Sequence, residues 1–193
     1  MFNELKTAQA SAYLLHKNSG VMHYLKLMKL LYLADRLSWL ERDFSITGDS
    51  YYSLPYGPVL SNTLDLIQGN IISKIPTIWD EWISDRENHQ VSLAKEIDFT
   101  DEYYLDRLSL GDIEILDRIF EQYGQLDRFE LVELTHDPRY VPEWEAPTGQ
   151  RRSKPIKLET LLKHLGKSKE QIQNILQEQA ESARINKLFK GVN

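Results

Sequence analysis

The side chains able to do acid–base or metal chemistry are 29 carboxylates and five histidines, His16, His23, His89, His136 and His164. No two of these histidines have the i, i+4 or HxH spacing that anchors a metal site. Cysteine is absent, which excludes thiolate ligands, thiol nucleophiles and disulfides and leaves the redox compartment undetermined. There is no GxxxxGK[ST], GxGxxG or GxSxG, hence no phosphate-cradling loop or nucleophile elbow of recognised form. Carboxylates on helical surfaces are usually there for solvation. The expectation is a non-enzyme with no cofactor and no metal.

Two single residues stand out. His136 sits in the last turn of its helix, where the C-terminal dipole favours the imidazolium form. Set against a functional role is a capping or buried hydrogen-bonding histidine, which is the reading preferred. Trp144, in PEWEAP, is either an exposed anchor or a pin holding its segment onto the body, and pinning is preferred.

The elements that must position these residues are mostly helical. A helix is expected from Asn3 to Lys17, with Asn3 as N-cap and Leu5, Ala8, Ala12 and Leu15 at helical spacing. HYLKLMKLLYLADRLSWLERD is so broadly apolar that its helix reads as central to the core. On it Lys26, Lys29 and Arg36 fall within about 80° of one another, a stripe that reads as a solvated face. SITGDSYYSLPYGPV is an extended, turn-rich piece in which Pro55 and Pro58 stiffen the chain around Tyr56, with Pro58 suited to open the next helix, which Gly69 ends. Tyr56 is expected to pack beneath this corner. A short helical turn is expected in IPTIWDEWI, and an edge strand through Val91 and Leu93 paired with the Tyr51 region. Ser109 reads as the N-cap of a helix stopped by Gly124, and Asp127 with Glu130 as a capping box for DRFELVELTH. PRYVPEWEAPTGQRRSKP reads as a stiff linker, followed by two more helices split at Gly166.

Charge divides the chain. Residues 1–148 carry 13 Lys and Arg against 25 Asp and Glu, a net −12, while residues 149–193 carry 10 against 4, a net +6. So acidic a body repels a phosphate backbone, and nucleic acid is not expected as a partner. No segment resembles a membrane span or a secretion signal, so the expected location is the cytoplasm. In the last helix Ile172, Ile175, Leu176, Ala183 and Leu188 form an apolar stripe, interrupted at Gln179, whose expected cover is a partner protein. Packing on its own body is the alternative.

Three segments, LKLMKLLYLAD, YGPV and LVELTHDPRYVPEW, in this order and approximate spacing, resemble the Panacea domain family, the SocA-like antitoxin domain also found in phage-associated proteins. The resemblance covers about residues 5–148. It implies an α+β fold, predominantly α-helical, with a small antiparallel sheet, here followed by a C-terminal helical extension. It also implies an antitoxin that neutralises a toxin protein by direct binding. The motif positions are Lys26, Lys29, Leu30, Tyr32, Tyr56, Gly57, Pro58, Val59, Leu134, Thr135, His136 and Trp144, expected to hold the scaffold on which variable surfaces are displayed. The expected organisation is an antitoxin-like domain over 1–148 and a basic helical extension over 149–193. An adaptor delivering a bound client to a protease, or an enzyme of unrecognised type, are the alternatives.

Overall fold

The computed structural model describes residues 1–70, 77–84, 87–98, 104–149 and 152–190. Among these are seven α-helices and five short strands, an α+β fold dominated by helix. Helix α1 (Glu4–Lys17) begins where the Asn3 side chain accepts from the Lys6 N–H. Strand β1 (Val21–His23) leads into α2 (Tyr24–Arg42), whose cap is the His23 imidazole accepting from the Leu25 N–H. Leu27, Met28, Leu30, Leu31 and Tyr32 of α2 are all buried, because α1, α4 (Leu110–Tyr123), α5 (Arg128–His136) and the strand Gly57–Leu60 surround it. Such burial stabilises the fold by roughly 1.5–3 kcal/mol for each large side chain.

Strands β2 (Tyr51–Leu54) and β3 (Gly57–Leu60) form a hairpin that opens onto α3 (Ser61–Gln68). Pro58 therefore lies in a strand and does not open the helix, a correction to the sequence reading. Cross-strand pairing of Tyr52 with Val59 and Ser53 with Pro58 keeps the chain extended through Leu60. Because Leu60 has no capping side chain, Asp49 takes over the role, accepting from the backbone N–H groups of Asn62 and Thr63. The α4 and α5 boundaries match expectation: Ser109 with Asp112, and Asp127 with Glu130, each make a reciprocal capping box.

Sheet pairing differs from the reading. Strand β4 (Gln90–Ser92) pairs antiparallel with β1, Met22 facing Val91, and not with the Tyr51 region. The partner of β2 on its other edge is β5 (Lys154–Ile156), with Tyr51 facing Ile156. Strand β5 comes from the expected linker, which lies against the body: Val141 and Glu143 are buried. The 3₁₀ turn Trp79–Glu81 is the expected helical turn of IPTIWDEWI, whose Ile75 and Pro76 lie outside the described residues.

After β5, α6 (Leu158–His164) buries Leu161 and Leu162 in the same core. Lys167 pairs with Asp43 and donates to the Leu40 carbonyl. In α7 (Lys169–Lys190), Ile172 and Ile175 are buried in the body's core and Leu176 packs on its edge. Ala183, Ile185 and Leu188 are exposed. At 100° per residue Leu188 falls opposite the Ile172 and Leu176 side of the helix, so the stripe read from sequence is not one face.

Candidate functional site

The matched segments converge on Lys29. Its side chain is fully buried and its ammonium donates to the Pro58 carbonyl at 2.7 Å. The expectation of a solvated basic stripe is thus corrected at its centre: the neighbours of Lys29 on α2 pack on β3 and α5, and the amine follows them inside. Burial pushes its pKa down to about 7. Over the amine lies Gly57, at φ +96°; a Cβ there would stand 2.7 Å from the Lys29 Nζ and 2.8 Å from the Thr135 Oγ1. Only glycine meets both requirements, a left-handed backbone and no side chain at the closest approach. Thr135, buried in the last turn of α5, returns its hydroxyl to the Leu131 carbonyl at 2.8 Å.

Beside Thr135, the His136 ring stacks on Trp144 with centroids 3.9 Å apart and planes 15° from parallel. Trp144 Nε1 donates to the Leu54 carbonyl at 3.1 Å, so the tryptophan does pin its segment onto the hairpin. The His136 pKa is lowered, first by burial and then by the Lys29 charge. Both act against the imidazolium form that the C-terminal helix dipole favours. Its Nε2 is buried, with no hydrogen-bond partner among the described residues.

The other members frame this centre. Tyr32 donates to Glu143 Oε1 at 2.8 Å, and the same oxygen accepts from Arg36 Nε at 2.7 Å. Burial first, then the Glu143 charge, push the Tyr32 hydroxyl well above its ordinary range. Lys26 donates to the Gly124 carbonyl at 2.6 Å, closing the end of α4. Leu30 and Val59 are buried in the core, and Leu134 packs at its edge. Tyr56 breaks the pattern. It is 64% exposed at the hairpin tip, where expectation had it packed underneath. Pro55 and Gly57 suffice to make the turn, so nothing folds over the ring.

Sequence reasoning passed over Glu143 and Asp35, which no periodicity marks because each is buried through contacts distant in the chain. Asp35 accepts from the Ile46 N–H at 2.8 Å, the Thr47 N–H at 3.0 Å and the Tyr51 hydroxyl at 3.0 Å. Burial raises its pKa to about 6 against those hydrogen bonds. The one available signal was an acid placed inside the apolar run LYLAD.

The arrangement is a latch. Lys29, Gly57, Pro58, Thr135, His136 and Trp144 tie α2, the hairpin, α5 and the following segment together, and the amine at its centre faces only protein. No group of three or more His, Asp or Glu among the described residues is placed to hold a metal, and no described helix is long and apolar enough to cross a membrane.

A family model described as antitoxin SocA-like, Panacea domain, matches residues 27–145. These residues run from the second turn of α2 to just past Trp144 and take in the whole latch. No curated protein and no solved structure matches the chain.

Proposed function

The chain belongs to the antitoxin SocA-like, Panacea domain family, and from that premise we propose that it is the antitoxin of a two-gene toxin–antitoxin system. It neutralises a cognate toxin protein by holding it in a stable complex. The observation that carries this reading is the family match together with the convergence of the motif inside the fold around Lys29, Tyr56 excepted. A motif whose glycine lies against both its lysine and its threonine, and whose tryptophan is stacked on its histidine and hydrogen-bonded to the hairpin, is a frame, and a frame leaves the outer surface to meet a partner. The net charge of −6 favours a partner with basic side chains through charge complementarity.

Co-expression with the product of the adjacent open reading frame tests the proposal. Growth arrest by that product alone, relief of the arrest by this protein, and co-purification of the two as an intact complex are expected. A neighbouring product that is harmless alone, or toxic yet never bound, overturns it. Toxin that disappears when this protein is present would move the reading to a protease adaptor.

A further inference from the structure

Two aromatic rings lie outside on neighbouring elements: Tyr56, 64% exposed at the hairpin tip, and Phe129, 54% exposed on α5. Phe129 and His136 are about two turns apart and so share a face of α5. His136 stacks on Trp144, and Trp144 reaches the Leu54 carbonyl at the base of the tip. Taken in order, from Phe129 along α5 to His136, across the stack to Trp144 and through its hydrogen bond to the strand end that bears Tyr56, these residues outline a ridge.

Both ends of this ridge stand mostly in solvent, on backbone that is itself held. Pro55 fixes its own φ, and Gly57 is wedged over Lys29 and Thr135. Phe129 carries the Arg128 guanidinium over its ring, 4.5 Å from the centroid. Rigid aromatic anchors lose little freedom on binding, and such residues carry much of the energy of protein interfaces. Along α5 and its cap the exposed charge is acidic in excess, Asp127, Glu130 and Glu133 against Arg128, while Arg139 pairs with Asp137 and Lys154 with Glu145.

We propose that this ridge is the surface on which the partner protein is held, the partner presenting an apolar segment rimmed by Lys and Arg. The proposal rests on the antitoxin reading and deepens it. Aromatic anchors seat the apolar segment, and the α5 carboxylates steer its basic rim.

The test uses the full chain and the purified, tagged product of the adjacent open reading frame. The double variant Tyr56→Ser and Phe129→Ser is expected to melt as the parent does, to bind at least about tenfold more weakly, and to lose growth protection. Glu133→Lys is expected to slow association, most visibly at low salt. A double variant that melts normally and binds within about twofold of the parent overturns the proposal and leaves the antitoxin reading standing. A parent chain that binds nothing from the neighbouring gene overturns both. Hydrogen exchange on the parent complex decides independently of any variant: slowing at residues 54–57 and 129–133 supports the ridge, and slowing confined elsewhere refutes it.

Discussion

Lys29 is a residue whose behaviour the fold alters strongly. Its pKa falls from an ordinary 10.5 to about 7 because burial disfavours the charged form. The folded protein therefore binds this proton less readily than the unfolded chain does. Stability from this group is fully present above about pH 10.5 and is lost as the pH falls toward 7, with little further change below. The upper bound on the loss is about 5 kcal/mol. In Lys29→Met this dependence should vanish, so urea midpoints measured at pH 7 and pH 10 should differ less in the variant than in the parent. Around the same centre, Gly57→Ala is expected to cost about 1–3 kcal/mol, through both the left-handed backbone and the contact with the amine. Tyr56→Ala, on an exposed ring, should cost less than about 0.5 kcal/mol. Thermal midpoints of the two variants separate these outcomes, and a Tyr56→Ala loss as large as that of Gly57→Ala would contradict the exposed tip. The glycine could be read from sequence as part of a stiff corner. The lysine could not, because a buried amine and a solvated one have the same helical spacing, and only the elements packed on α2 distinguish them.

At the scale of elements, what the sequence reveals is what is local. Asn3, Ser109 and the Asp127 and Glu130 pair mark their helices because the capping side chain lies within three residues of the group it caps. Helix α3 is the instructive exception. Its capping carboxylate, Asp49, lies before the hairpin, and β2 and β3 must fold before it can act. Asp49→Ala should therefore behave as the loss of an N-cap, costing about 1–2 kcal/mol. Amide exchange at Asn62 and Thr63 should accelerate ahead of the rest of the helix. Unchanged exchange there would mean that α3 is held by packing alone. Strands β1 and β5 were illegible for the same physical reason: a strand of three residues has no period to detect, and its partner is remote in sequence. The candidate site followed this division, with its residue types readable from the motifs and their convergence visible only once the pairings were known.

The whole molecule does not divide where its charge does. Ile156, Leu161, Leu162, Ile172 and Ile175 belong to the same buried cluster as α1 and α2. A chain ending at Thr148 is thus expected to expose a core face and the open edge of β2, and to be recovered aggregated or with a strongly lowered midpoint. Ending the chain after Leu176 instead should leave the fold intact by circular dichroism. A soluble, cooperatively melting chain of residues 1–148 would show that the later helices are dispensable ornaments of the core. The pairing of Tyr51 with Ile156 spans about a hundred residues, and contacts that far apart close slowly and late. During translation, β2 has left the ribosome long before β5 exists, so the three-stranded sheet waits until Ile156 has emerged. A newly made molecule thus passes through an interval with an unpaired strand edge, and the supply of competent protein trails the supply of message by a delay fixed in the topology itself.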